Sequence, residues 1–94
     1  MIKSFRDKKA EKIFHGKVAQ GFSGSILKVV QRRLIMLHAA VELRDLRIPP
    51  GNRLEALRGD RKGQHSIRIN DKWRICFRWI KGVVHDVEIV DYHK

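Results

Sequence analysis

The chain has 94 residues, enough for one domain with a single core and too few for an elaborate internal pocket. Its 21 Lys and Arg outnumber 10 Asp and Glu, which gives a formal net charge of +11 spread over the whole length. Charge of this sign and density favours a polyanionic partner, most often a nucleic acid, with an acidic protein or an anionic membrane surface as the alternatives. We therefore expect one domain over residues 1–94 with a polyanion-binding site on its surface.

Cysteine usage and hydropathy exclude several other classes of protein. Cys76 is the only cysteine, so an intrachain disulfide and a cysteine-based zinc site are both excluded. No long apolar run follows the basic N-terminus, so we predict neither a secretory signal nor a membrane span, and a cytoplasmic location. Four histidines without a shared metal-like spacing are assigned structural or solvent-facing positions: His15, His38, His65 and His85. No metal site is therefore predicted.

The first half of the chain predicts a short strand and two helices. Ile2 to Phe5 favours an opening strand, after which Asp7 is a suitable N-cap for a short helix that ends at Gly16. A longer helix is predicted after Ser23 or Ser25, because six apolar residues follow helical spacing. These apolar positions are Ile26, Val29, Val30, Leu34, Leu37 and Val41.

Prolines and glycines then predict a turn, a short strand and a loop in the middle of the chain. Pro49 and Pro50 disfavour helix and, with Gly51, mark a turn. Arg53 to Leu57 predicts a further short strand. The segment from Gly59 to Gly63 predicts an exposed loop, because it combines two glycines with dense charge.

A three-strand meander is predicted over the stretch from Arg58 to His93, because side chains alternate at period two. One face is apolar, formed by His65, Ile67, Ile69, Trp73, Ile75, Phe77, Trp79, Val87 and Ile89. The opposite face is largely polar and collects arginines, with Gln64, Ser66, Arg68, Arg74, Arg78, Asp86 and Glu88 among its residues. Since Trp73, Phe77 and Trp79 share the apolar face, we assign them to the core and not to base stacking.

The first turn of the meander predicts a pair of facing arginines. A loop of residues 70–72 pairs Ile69 with Trp73, which keeps apolar residues on one face and sets Arg68 opposite Arg74. Like charges directly opposite in a sheet are destabilising by up to about 1 kcal/mol. No acidic partner is predicted for either arginine, so we expect a bound phosphate to remove that penalty.

The second turn predicts that the charge of Arg78 is neutralised by Asp86. A loop of residues 81–83 pairs Ile75 with Ile89 and puts Arg78 against Asp86. The element order is strand, helix, helix, and then three or four strands. This order predicts an α+β fold, with an N-terminal strand and two helices packed on one face of a small, mostly antiparallel twisted sheet.

The chain resembles HigB, the plasmid-maintenance-killer branch of the RelE/ParE toxin superfamily, over essentially its entire length. The resemblance is carried by several stretches in the family's order: Glu42 to Leu46, Pro49 to Leu54, Leu54 to Gly63, His65 to Arg68, Trp73 to Ile75 and Glu88 to His93. It implies a RelE-like fold.

The resemblance also implies a function and partners. It implies the toxin of a type II toxin–antitoxin system, which cleaves mRNA in the ribosomal A site and arrests translation without a metal or an organic cofactor. The implied partners are a helix-turn-helix antitoxin of the HigA type and the 70S ribosome with its mRNA. The implied chemistry is attack of a ribose 2′-hydroxyl on the adjacent phosphate, with basic side chains stabilising the extra negative charge.

Such a reaction needs a proton acceptor, a proton donor and fixed cations at the phosphate. The predicted catalytic residues are His93, Tyr92, Asp91, Arg74 and Glu55. His93 titrates near neutrality, and Tyr92 can donate a proton or stack on a base. Glu55 stands where some HigB proteins have a histidine, so it is either a general base or structural. The predicted phosphate-binding residues are Arg58, Arg68, Lys72, Arg61 and Lys62.

Two alternatives from other functional classes stay open. One is a ParE-like inhibitor of DNA gyrase, a binding protein without a nuclease centre. The other is a non-catalytic nucleic-acid-binding module that acts through charge alone. The terminal pair Tyr92 and His93 favours cleavage, because a pure binder needs no acid/base group there.

Overall fold

The structure, a computed structural model, describes residues 1–91 of the chain. Two α-helices precede four β-strands: α1 Lys8–Phe14, α2 Gly24–Ala39, β1 Glu55–Ala56, β2 His65–Arg68, β3 Trp73–Ile80 and β4 Val83–Asp91. The strands form one antiparallel sheet in the order β1-β2-β3-β4. The predicted α+β class is confirmed.

Asp7 begins α1 and also joins it to the sheet. Its Oδ1 accepts a hydrogen bond from the Ala10 amide at 2.6 Å, which is the predicted N-cap. Its Oδ2 accepts one from the amide of Ile89 in β4 at 2.8 Å. The helix ends before Gly16, which has a φ of +79° and is therefore suited to the turn that follows.

Helix α2 carries the apolar support for the sheet. Ser23 caps it through its hydroxyl, and Val30, Leu34 and Leu37 are fully buried. The prediction that Val41 extends the buried stripe is wrong, because the helix ends at Ala39 and Val41 is 77% exposed. The reason is local: the amides of Val41 and Glu42 bond to the carboxylate of Asp45, which opens a 3₁₀ turn over Leu43–Arg47.

The N-terminal segment runs parallel to β4 but pairs with it at only two points. Ile2 bridges to Val84 and Phe5 to Val87. Between these bridges Asp86 has a φ of +56°, and its amide bonds to the Ser4 hydroxyl instead of to a backbone carbonyl. The predicted opening strand is thus reduced to two bridges, because a bulge in β4 interrupts the ladder.

The turn between β2 and β3 is as predicted. Arg68 lies opposite Arg74, and the Ile69 amide bonds to the Trp73 carbonyl at 2.9 Å. Asn70 stabilises the turn, because its side-chain oxygen accepts hydrogen bonds from the amides of Lys72 and Trp73.

The turn between β3 and β4 differs from the prediction by one residue. Ile80 pairs with Val83, so the loop has two residues, Lys81 and Gly82, both with positive φ as a type I′ turn requires. The bulge at Asp86 then supplies the extra residue and restores the predicted pairing of Ile75 with Ile89 further along. A three-residue loop without a bulge and a two-residue loop with one give the same register at that point.

The core lies between the two helices and one face of the sheet. Leu34, Leu37, Ile67, Ile75 and Phe77 are fully buried there. Trp73 and Trp79 are partly buried and pack against this core, in agreement with their predicted assignment.

Strand β1 is shorter than predicted. Of the segment from Arg53 to Leu57, only Glu55 and Ala56 pair with β2. Arg53 has a φ of +45° because it closes the 3₁₀ turn over Pro50–Asn52, so an extended strand cannot begin there.

Candidate active site

The candidate site lies on the open face, defined here as the side of the sheet opposite the helices. Alternation places on it Ser66, Arg68, Arg74, Cys76, Arg78 and Glu88. Although the face is charged, its centre is not exposed. Ser66 and Cys76 are fully buried and Arg74 is only 6% exposed.

Arg74 is held in place by contacts from two neighbouring segments. Its Nε donates to the Ser66 hydroxyl at 2.7 Å, and its Nη2 donates to the Arg53 carbonyl at 2.6 Å. The same Nη2 lies 3.8 Å from Oε1 of Glu55. A planar guanidinium held at several points is a pre-organised positive charge, because its orientation no longer has to be selected when an anion arrives.

The prediction that Arg74 has no acidic partner is therefore wrong. Strand β1 pairs Glu55 with Ser66, the residue to which Arg74 bonds, and so brings the carboxylate beside the guanidinium. The contact between Glu55 and Arg74 therefore depends on the register in which β1 pairs with β2.

Arg68 also has an acidic partner, contrary to the prediction. Its Nη2 forms an ion pair with the carboxylate of Asp71, three residues later in the turn. Asp71 is almost fully exposed. With Asp71 beside Arg68 and Glu55 beside Arg74, the facing arginines are compensated within the fold, so holding them together does not require a bound phosphate.

A shallow depression opens beside Glu55 at the sheet edge. It has a volume of about 620 Å³ and is lined by Glu55, Ala56, Leu57 and Arg58. Arg58 is exposed there, and Glu55 is half-exposed. A depression of this size, with a cation and a carboxylate on its wall, can accept a nucleotide.

The remaining predicted phosphate-binding residues lie near two ends of the sheet. Arg61 forms an ion pair with Glu88 at 3.2 Å, and Lys62 beside it is exposed. At the other end the Nζ of Lys72 lies 4.9 Å from the centre of the Trp73 ring, a cation–π contact. Because Trp73 packs against the core on the helix-covered face, this contact holds the Lys72 ammonium toward that side of the sheet.

The predicted terminal residues are only partly within the described chain. Asp91 is exposed and lies opposite Trp73 at the end of β4, next to the pair of Arg74 and Val90. By alternation its side chain belongs to the face opposite that of Arg74. Tyr92 and His93 lie outside the described residues.

The other titratable groups do not point to a metal centre. Within residues 1–91 no group of three or more His, Cys, Asp or Glu could hold a metal ion. His38 has a structural contact, because its Nδ1 accepts a hydrogen bond from the Ile2 amide at 3.1 Å. Burial lowers the pKa of His65 and is the main reason that the pKa of the Cys76 thiol is raised, which favours the neutral form of both.

Sequence reasoning missed four residues of the open face. These are Arg6, Ser66, Gln64 and Glu88, which bind the predicted arginines or one another. Alternation already placed Gln64, Ser66 and Glu88 on the polar face. The signal that could have located two of them is the register, in which Ser66 and Glu88 both pair with Cys76. In the structure Ser66 lies beside Arg74, and Glu88 lies beside Arg61.

Comparison with known proteins gives this arrangement a family. A family model described as the RelE-like toxin of the type II toxin–antitoxin system HigB matches residues 3–93. The chain belongs to the HigB-like toxin family.

Individual HigB proteins agree with this membership over nearly the whole length. Toxin HigB-1 of Vibrio cholerae serotype O1 is 41% identical, over 100% of this chain and 99% of its own. Endoribonuclease HigB of Proteus vulgaris is 34% identical, over 99% of this chain and 100% of its own. The resemblance to HigB inferred from the sequence is confirmed. Membership of a HigB-like toxin family implies a cognate antitoxin as partner.

Solved structures agree on the fold. The crystal structure of YafQ from E. coli strain BL21(DE3) has a TM-score of 0.61, with 14% sequence identity over 98% of this chain and 92% of that chain. The crystal structure of a YafQ point mutant from E. coli gives a TM-score of 0.60 over the same shares of both chains.

Among residues 1–91 of this HigB-like chain, no helix is long and apolar enough to cross a membrane.

Proposed function

We propose that this HigB-like toxin is a metal-independent endoribonuclease that cleaves mRNA in the ribosomal A site and arrests translation. The observation that carries the proposal is Arg74, a guanidinium fixed at the centre of the open face beside Glu55, which itself lines a nucleotide-sized depression. The name of the Proteus vulgaris relative, Endoribonuclease HigB, supports it.

Fixed positive charge is the first requirement of the reaction. When a ribose 2′-hydroxyl attacks the adjacent phosphate, negative charge builds up on the phosphate oxygens, and a pre-organised cation stabilises it without reorganisation. Arg74 supplies that charge in this proposal. Arg68, Arg58 and Lys62 are more exposed and bind the neighbouring phosphates of the strand.

The acid/base groups come from the sheet edge and the end of the chain. Glu55 lies at the wall of the depression and within 3.8 Å of Arg74, so it is placed to accept the proton of the 2′-hydroxyl. We propose Tyr92 and His93 as the other proton-transfer groups on the basis of their chemistry, and Asp91 as the residue that orients one of them. Strand β4 ends beside the pair of Arg74 and Val90, which supports this assignment.

The partners follow from the same proposal. The antitoxin is a helix-turn-helix protein of the HigA type, and the ribosome presents the mRNA. Action on translated mRNA places the toxin in the cytoplasm. No cofactor takes part in the proposed reaction, because the chain's own carboxylate, phenol, imidazole and guanidinium groups cover its proton transfers and charge stabilisation.

Substitution of the terminal histidine tests the reaction class. His93→Gln changes the net charge little, so we expect mRNA cleavage, mapped by primer extension in a cell-free translation reaction, to fall by about two orders of magnitude or more. The matched control is His85→Gln, in β4 at the far end from Asp91, which should cleave normally. Full toxicity of His93→Gln without mapped cleavage would contradict the proposal. Loss of DNA supercoiling by gyrase in its presence would then favour the ParE-like alternative.

A further inference from the structure

Glu88 joins two arginines from distant parts of the chain on the open face. Its Oε2 lies 3.2 Å from Nη1 of Arg61 and 3.6 Å from Nε of Arg6. The carboxylate is mostly buried, with its side chain 17% exposed. One oxygen therefore holds a cation of the charged loop after β1 and a cation of the N-terminal segment together.

Both arginines are also fixed through their surroundings. The Arg6 amide donates to the Val87 carbonyl at 2.8 Å, which places Arg6 next to Glu88 along β4. Arg61 Nη1 donates to Gln64 Oε1 at 3.1 Å, and the Gln64 amide returns a hydrogen bond to the Arg61 carbonyl at 3.0 Å. Glu88 is thus the common point of a group that the backbone has already assembled.

The exposure of Arg6 indicates that this arginine serves binding more than stability. Arg6 is 62% exposed, and an ion pair with so exposed a partner contributes little to folding. Two cations on one carboxylate keep a net charge of +1, so the group still attracts an anion. A guanidinium has five donors in a fixed fork, and those that face solvent fit phosphate oxygens.

The position of the group relative to Arg74 is set by one row of the sheet. Ser66, Cys76 and Glu88 lie side by side on β2, β3 and β4. Ser66 holds Arg74 and Glu88 holds Arg61, so the two arginines are anchored about 10 Å apart, twice the spacing of adjacent strands. The group would therefore contact RNA that flanks the cleaved phosphate.

We propose that Arg6 is a further RNA-contacting residue and that Glu88 is the positioning residue that holds Arg6 and Arg61 as a paired phosphate clamp. This inference rests on the proposed function only in taking RNA as the ligand. It adds Arg6 to the RNA-binding surface, with Glu88 and Gln64 as residues that hold the clamp in place.

One charge substitution distinguishes a positioning role of Glu88 from a purely electrostatic role, because the two predict opposite changes in RNA affinity. Glu88→Gln removes a negative charge, so charge alone predicts tighter RNA binding. Positioning predicts weaker binding, because two guanidiniums lose their common anchor. The matched control is Asp86→Asn, which removes the same charge from the same strand, where the carboxylate meets a single arginine at 3.6 Å. Asn tolerates the positive φ of position 86.

The probe is a short single-stranded RNA whose 2′-hydroxyls are methylated, so that it binds without being cleaved. Fluorescence anisotropy over a range of salt concentrations gives the Kd and its log–log slope. For Glu88→Gln we expect roughly 3- to 10-fold weaker binding and a slope smaller by about 0.7 for each phosphate that the variant no longer binds. Asp86→Asn should bind as tightly as the unmodified protein or more tightly. If Glu88→Gln also binds as tightly or more tightly, the inference is overturned.

A second variant keeps the test decisive if Glu88→Gln folds poorly. Arg6→Gln, at an exposed position, should weaken binding by itself, and Glu88→Gln should have a smaller effect when Arg6 is already Gln. Unchanged binding by Arg6→Gln would refute its assignment. In cleavage assays the clamp variants should raise KM with kcat nearly unchanged. Normal binding of methylated RNA by a protein that never cleaves would contradict the proposed function and leave the clamp intact.

Discussion

The two faces of the sheet are both buried at their centres, but by different means. On the helix-covered face, burial is apolar: Ile67, Ile75 and Phe77 pack against the helices. On the open face, Arg74 and Ser66 are buried while bonded to each other. Apolar packing makes the first face a source of stability, whereas hydrogen bonds between its buried polar groups make the second a pre-organised site.

The largest expected effect is on the helix-covered face. Leu34→Ala leaves a cavity under the sheet, because Leu34 is fully buried, and we expect it to lower the free energy of unfolding by about 2–5 kcal/mol. Urea unfolding followed by circular dichroism measures this. The folded fraction should keep its cleavage activity per molecule. A large loss of specific activity at unchanged stability would show that the two faces are not separable as described.

The next effect is on the open face. Arg74→Ala removes the fixed charge, and we expect cleavage to fall by about 10²–10³-fold, the scale for loss of one transition-state donor. Primer extension at saturating toxin measures the rate. Arg78→Ala is the matched control, on the same strand and face but partly exposed and paired with Asp86. Equal losses in the two variants would assign the effect to charge in general.

The smallest effect is expected when one of the hydrogen bonds that hold Arg74 in place is removed. Ser66→Ala removes the hydroxyl that accepts from Arg74 Nε, while the contacts of Arg74 with the Arg53 carbonyl and with Glu55 stay. We expect roughly a 10-fold lower cleavage rate, as for the loss of a hydrogen bond to a charged group worth about 1.5 kcal/mol. Ser66→Thr, which keeps the hydroxyl, should recover most of the activity. A Thr variant as impaired as the Ala variant would point to packing instead.

Alternation along the strands was enough to predict the two faces and most of the register. The facing of Arg68 and Arg74 followed from the turn at Asn70, because a local turn and an apolar pattern agree on one pairing. The Asp86 bulge could not be predicted, since two loop lengths give the same pairing of Ile75 with Ile89.

The predicted pairing of the charges of Arg78 and Asp86 is confirmed, since the two groups lie 3.6 Å apart, but the partners of Arg68 and Arg74 could not be predicted from alternation. It tells which face a side chain is on, but the partner depends on the neighbouring strand and its register. Glu55 lies beside Arg74 because the two-residue strand β1 pairs with β2. Asp71 lies beside Arg68 because both belong to the turn region between β2 and β3. The cluster of Arg6 and Arg61 on Glu88 joins three segments far apart in sequence. The roles of Tyr92 and His93 stay predictions.

The Asp7 carboxylate has a mechanical consequence. One of its oxygens holds the amino end of α1 and the other holds the Ile89 amide, two residues before Asp91. The tilt of α1 and the position of the last residues of β4 are therefore coupled through Asp7. Any protein that levers this helix away from the sheet must either break the bond to Ile89 or drag the final strand along with it.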